Sequence, residues 1–197
     1  MKTNTKLVFL VFLLFLQSVY SVNAQTLFRL PFASNPGYSA WFDHNGTASG
    51  TKRYDCKTGH PYNNHRGTDF AVSSGTQIYS AAHGELYYRV DGCPDQGSMS
   101  STCGGSFGNH VRIKHLDNLV TIYAHMKKGT PVGKGSFLCG AKIGLSGNSG
   151  QSSGPHLHFE LWKDSSISKR LDFFQGSCNS VGYWVSQNYG WPRTTCQ

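Results

Sequence analysis

Two histidines separated by a single leucine occur in Gly154-Pro155-His156-Leu157-His158-Phe159-Glu160-Leu161. On a strand entered from a Gly-Pro turn, alternation puts His156 and His158 on one face and Leu157 on the other. Two imidazoles on one face can share a metal, or one can hold a metal while the other works on a substrate. A second pair lies upstream in His65-Arg66-Gly67-Thr68-Asp69. A spacing of four is even, so on extended chain both side chains project to one face, with Gly67 between them permitting close backbone approach. His65, Asp69 and one histidine of the 156/158 pair make a three-ligand set with an open position, the pattern of a catalytic rather than a structural zinc site. The spacing leaves open which histidine of the pair is the ligand.

His125 supplies a further imidazole. On Thr121-Ile122-Tyr123-Ala124-His125, parity predicts that Tyr123 and His125 line a groove while Ile122 and Ala124 face the core. Hydrolysis by a metal-activated water needs a group to take its proton and a donor for the developing oxyanion. His125 and the non-ligand histidine of the pair are candidates for those tasks.

The segments His65-Arg66-Gly67-Thr68-Asp69, Tyr123-Ala124-His125 and Gly154-Pro155-His156-Leu157-His158 resemble the three signatures of lysostaphin/LytM-type zinc metalloendopeptidases. Gly75-Thr76-Gln77-Ile78-Tyr79-Ser80-Ala81 and Lys142-Ile143-Gly144-Leu145-Ser146-Gly147 extend the likeness across residues 60–162. The resemblance implies a β-sheet fold with the site in a groove between loops, and one zinc ion per chain held by His65, Asp69 and His158. It implies that His125 and His156 activate water and stabilise the tetrahedral intermediate. Tyr123 and Asn64 are expected in the substrate groove. The implied substrate is the peptide part of bacterial peptidoglycan, either glycine-rich cross-bridges or stem-peptide cross-links. The alternative is a non-catalytic binding, signalling or hydrolase-regulating module on the same fold. Such relatives typically lose ligands or catalytic histidines, whereas this chain keeps all five.

The elements that must position these residues are short strands separated by glycine turns. Asp69–Val72, Gln77–Ala82, Gly84–Val90, His110–His115, Val120–His125 and the 156–161 segment predict a single all-β domain with a mainly antiparallel sheet. Residues 25–59 form a loop-rich lead-in, with a short strand expected over Phe28–Phe32. Residues 60–162 form the catalytic core. Residues 163–197 form an aromatic, disulfide-bound tail packing on that core, with a short helix expected near Leu171–Phe174. His115 is expected to hydrogen-bond a site residue at most, and His60, His83 and His110 to be loop or surface histidines.

Met1–Ala24 carries two lysines, a run of apolar residues from Leu7 to Leu16, and small residues before a cut after Ala24. That is the order of a secretory signal peptide, and the run is too short for the roughly 20 residues that span a bilayer. Export without stable membrane insertion is therefore expected, to the extracellular space or to the periplasm of a two-membrane bacterium. Six cysteines in an exported chain imply disulfides. Cys93 and Cys103 bracket a Gly/Ser-rich loop and pair naturally; Cys178 and Cys196 would staple the tail, leaving Cys56 for Cys139. The formal charge of +8 is spread along the chain. With no basic run or stripe, nucleic acid is excluded as a partner, and a monomer is expected. Asn45-Gly46-Thr47 fits a glycosylation acceptor if the host glycosylates.

Overall fold

The computed structural model describes residues 25–46, 50–59, 62–164, 169–188 and 191–197. The leader expected over Met1–Ala24 lies outside the described residues, as do Thr47 of the acceptor triplet and His60. No described helix is long and apolar enough to cross a membrane.

Among the described residues the strands of the two larger pairings are β1 (Tyr38–Ala40), β2 (Thr68–Phe70), β3 (Gln77–Tyr79), β4 (Gly84–Val90), β5 (Asn109–Lys114), β6 (Leu119–Met126), β7 (Gly135–Phe137), β8 (Lys142–Leu145), β9 (Leu157–Lys163) and β10 (Arg170–Leu171). A further two-residue pair joins Gln187–Asn188 to Trp191–Pro192. The main sheet has the order β1-β2-β9-β6-β5-β4-β7, with β10 added to β9, and β3 pairs β8 apart from it. Every pairing between these strands is antiparallel. The all-β, mainly antiparallel expectation is borne out.

Period-2 alternation explains why the central strands are buried throughout. One face of the sheet sends Leu86, Val111, Ile113, Leu119, Tyr123, Leu157, Phe159 and Leu161 into the main core. The lead-in adds Phe28, Leu30 and Phe32 to it, and the tail adds Phe173, Phe174 and Trp184. Phe159 stacks on Phe173 at 4.4 Å between centroids, and Phe173 on Trp184 at 4.6 Å. Full burial of such a ring stabilises by roughly 1.5–3 kcal/mol, so lead-in and tail both brace β9 from behind. The opposite face carries a smaller cluster of Val120, Ile122, Ala124 and Trp162, and on that face lie His158 and Glu160.

Several local expectations are corrected. Phe28–Phe32 makes no strand; Phe28 forms one bridge, to Trp184. Leu171–Phe174 is not helical: Leu171 ends β10, and Asp172 accepts the Phe174 N–H while receiving the His44 imidazole at 2.8 Å. Cys93 pairs with Cys103 as expected, but Cys56 pairs with Cys178 and Cys139 with Cys196. The tail does not close on itself. It crosses the core, so that the Cys178 N–H bonds the Tyr54 carbonyl beside Cys56, whereas Cys196 ends next to Gly140. Sequence proximity was the wrong guide once the tail became a strap.

His115 bonds the His83 carbonyl through Nδ1 and the Thr121 hydroxyl through Nε2, not a residue of the histidine cluster. His110, expected near the surface, is buried. Burial drives both imidazoles down to about 4. An unfolded histidine titrates near ~6.5, so the folded chain binds fewer protons than the unfolded one between those values. The stability contributed by the neutral rings is complete above about pH 6.5 and lost as pH falls toward 4, on the order of 3 kcal/mol per ring. Urea midpoints measured from pH 7.5 to pH 4.5 should fall steadily, and His115→Gln, which keeps a donor and an acceptor but cannot titrate there, should flatten the slope. An unchanged slope in that variant would exclude His115 as a source of acid sensitivity.

Candidate metal centre

The register of three strands builds the centre. Asp69 on β2 lies directly opposite His158 on β9, which lies opposite Ala124 on β6. Directly opposed side chains share a face, so Asp69 and His158 meet on the face away from the main core. His65 precedes β2 and folds back over both. Gly67 makes that possible: a Cβ there would lie 2.7 Å from the Phe159 carbonyl oxygen and 2.9 Å from His158 Cε1.

Three ligand-type atoms converge. His65 Nε2 is 3.1 Å from Asp69 Oδ1 and 3.1 Å from His158 Nδ1, and His158 Nδ1 is 2.7 Å from Asp69 Oδ1. All three side chains are buried. The distal hydrogen bonds define what these atoms present. His65 Nδ1 donates to the Trp41 carbonyl at 2.8 Å, so its Nε2 carries the lone pair. His158 Nε2 donates to the Glu160 carboxylate at 2.9 Å, so the neutral ring has its lone pair on Nδ1. Two imidazole lone pairs and a carboxylate oxygen thus face one another with no hydrogen between them in the neutral tautomers. Such a cluster is repulsive until positive charge enters it. Its spacing matches one coordination sphere, because ligands at roughly 2.0–2.2 Å from a zinc ion lie less than ~4.4 Å apart. The residues fit a zinc ion.

The charges agree. Burial pushes the Asp69 carboxyl upward, but the His158 and His65 rings outweigh it and hold the group well below the usual carboxylate range. Burial lowers His158, yet the Asp69 and Glu160 carboxylates overcome that and raise it to about 10. Glu160, which spacing rules did not single out, also accepts the Trp162 indole N–H and the Arg170 Nε–H at 2.9 Å. Burial raises it, and the His158 and Arg170 charges bring it below its ordinary value. Its place two residues after His158, on the same strand face, is the signal that could have found it.

His156 and His125 flank the cluster, their rings 4.7 Å apart. His156 Nδ1 donates to the Gly154 carbonyl at 2.8 Å, and its Nε2 lies 3.8 Å from Asp69 Oδ2. His125 Nδ1 donates to the Ser149 carbonyl at 2.7 Å. Burial, reinforced by the His158 and His156 rings, drives His125 down to about 3, so this ring is neutral. Both therefore keep Nε2 available. The five residues line a groove of about 680 Å³, walled by Tyr62, Met99, Phe107 and the 151–155 loop. Tyr62 donates its hydroxyl to Asp69 Oδ2 at 3.1 Å. Tyr123 is not in the groove: it is fully buried in the main core, its oxygen accepting the Ala81 N–H. Asn64 is exposed beside the lining, with its N–H on Asp43 Oδ2.

Residues 63–170 match peptidase family M23. Over 102 residues the chain is 36% identical to peptidoglycan DD-endopeptidase ShyA of Vibrio cholerae, covering 49% of this chain and 20% of that protein. Over 101 residues it is 33% identical to DD-carboxypeptidase/endopeptidase Mpg of Neisseria meningitidis, covering 51% of this chain and 20% of that one. The chain thus spans about a fifth of the length of these two relatives. Among solved structures, the catalytic domain of the prophage-encoded protein EnpA from Enterococcus faecalis, crystallised as a mutant, is 27% identical with a TM-score of 0.47. The match covers 67% of this chain and 94% of that one.

Removing the negative charge behind His158 should loosen the site without dismantling it. Glu160→Gln keeps the shape but weakens the acceptor, and zinc affinity, titrated against a competing chelator, should drop roughly 10–100-fold. Unaltered affinity would mean that Glu160 serves only the Trp162 and Arg170 side chains.

Proposed function

The chain belongs to peptidase family M23, and on that premise we propose that it is an exported zinc-dependent endopeptidase that hydrolyses peptide cross-links or cross-bridges of bacterial peptidoglycan. The observation that carries this reading is the convergence of five side chains at one groove: three ligand-type atoms gathered within 3.1 Å, and two imidazoles with Nε2 atoms available beside them. His65, Asp69 and His158 hold one zinc ion per chain. The ion, when bound, supplies a Lewis acid that polarises the scissile carbonyl and brings the pKa of a water to about 7.

The chain's own groups do the rest. His156 and His125 each commit Nδ1–H to a backbone carbonyl and keep Nε2 for the groove. One Nε2 takes the proton of the attacking water. As imidazolium, that ring donates the proton to the oxyanion and then to the leaving amine, while the other Nε2 accepts the water's second hydrogen. The buried Asp69 carboxylate balances the imidazolium so formed. The groove is open enough for an extended peptide, and the named relatives from Vibrio and Neisseria support a stem-peptide cross-link as substrate. All five groups come from one chain, so a monomer suffices. The apolar run of Met1–Ala24 supports export by a cleaved leader.

Purified cell walls with glycyl cross-bridges and walls with direct stem-peptide cross-links should be digested in parallel and the products identified by mass. Cleavage of one peptide bond, lost with chelator and restored by zinc, is expected. His125→Ala and His156→Ala should retain zinc while losing roughly 10²–10⁴-fold in kcat/KM, whereas His65→Ala should lose the metal. A folded, zinc-loaded chain inactive on both wall types would overturn the reading in favour of a binding module.

A further inference from the structure

Alternation along β6 places Leu119 and Tyr123 in the main core and turns Thr121 to His115. His125 shares their parity yet stands with the metal-centre residues on the other face. It does so because its φ is 57°, a left-handed backbone. That conformation is unfavourable for any residue with a Cβ, so the surroundings must impose it. Opposite it the ladder slips: Val111 pairs Tyr123 and Asn109 pairs Met126, so Ala124 and His125 together oppose His110 alone. This is a β-bulge, a feature that re-aims a side chain.

The clamp on the bulge is specific. The His125 N–H bonds the Phe107 carbonyl at 2.8 Å. The Met126 carbonyl, on the far side of the turn, accepts both Asn109 Nδ2 at 3.2 Å and the Ser149 hydroxyl at 2.8 Å. Asn109 is wholly buried, and its Oδ1 also receives the Gly92 and Cys93 N–H groups at 2.8 Å each. Its N–H bonds Ser149 Oγ at 2.9 Å, and the Ser149 carbonyl is the one that takes His125 Nδ1–H. Neither residue lines the groove. The geometry points to Asn109 and Ser149 as positioning residues that hold His125 in the left-handed turn and so keep its imidazole on the metal side of the sheet. This rests on the role given to His125 in catalysis, but the turn itself can be read without activity.

The zinc-loaded full chain, labelled with ¹⁵N-histidine, supplies the test. The wild type should show slowly exchanging ring N–H signals from His65, His158 and His125, bonded to Trp41, Glu160 and Ser149 respectively. In Asn109→Ala and Ser149→Ala the His125 signal should disappear while the other two stay, with zinc stoichiometry unchanged. On a cleaved wall peptide kcat should fall about 100-fold with KM within about twofold. If Asn109→Ala does not fold, Ser149→Ala, which removes one hydroxyl, decides alone. A persisting His125 signal with full kcat in Ser149→Ala would overturn the proposal, as would loss of all three signals together. If the wild type cleaves nothing, the endopeptidase reading fails while the ring signals still decide this one.

Discussion

The structure depends on keeping three ligand-type atoms together where a positive charge, a proton or a cation, must join them. His65 Nε2, His158 Nδ1 and Asp69 Oδ1 sit 2.7–3.1 Å apart and away from water. Left to a flexible chain, groups this close would move apart. Here they cannot separate, because Asp69 and His158 are locked in register across β2 and β9. His65 is pinned from behind by the Trp41 carbonyl and from beneath by the space Gly67 leaves open. The stacked rings of Phe159, Phe173 and Trp184 fix β9 from its other face. The work of bringing like groups together is thus done by apolar burial and ladder hydrogen bonds, and a cation entering the site meets ligands that need no rearrangement.

A rule repeated four times sets the direction of every imidazole. Each histidine of the groove gives its remote N–H to an acceptor that cannot donate in return: a carbonyl for His65, His125 and His156, a carboxylate for His158. Each near nitrogen is thereby the one directed at the groove. The one carboxylate in this series is the one that adds charge. Glu160 therefore makes His158 the most electron-rich of the four, and Arg170 with the Trp162 indole keeps Glu160 itself ionised and in place.

Parity made much of this visible in the sequence, and its failures have a physical cause. It placed His156 and His158 on one face and Leu157 in the core, because β9 is regular there. It placed Tyr123 in the groove beside His125, and that was wrong: Tyr123 obeys alternation into the main core, whereas His125 escapes it through a left-handed residue. No pattern of residue types announces a bulge whose clamp comes from Asn109 and Ser149, far off in sequence. The disulfides failed for a related reason. Pairing Cys178 with Cys196 assumes a tail that folds on itself, but buried Phe173, Phe174 and Trp184 draw it across the core, towards Cys56 at one end and Cys139 at the other. Chemistry carried by residue type was legible; geometry imposed by distant contacts was not.

The two halves of the site have separate supports, and this bears on how such a groove can change its substrate. The three proposed ligands stand on the strands of the sheet and the loop into β2, and are stiffened by the main core. The two imidazoles proposed to handle protons, His125 and His156, are held by loops, through the carbonyls of Phe107, Ser149 and Gly154. The same loops wall the groove with Met99, Phe107 and residues 151–155, and the Cys93–Cys103 disulfide closes the longest of them. A change in those loops bears on the groove wall and on His125 and His156 together, while His65, Asp69 and His158 keep their separate supports. The disulfide then has a clear physical use. It narrows the conformations open to the polar, glycine-rich loop that carries exposed Met99, with the Phe107 that receives the His125 N–H just beyond it.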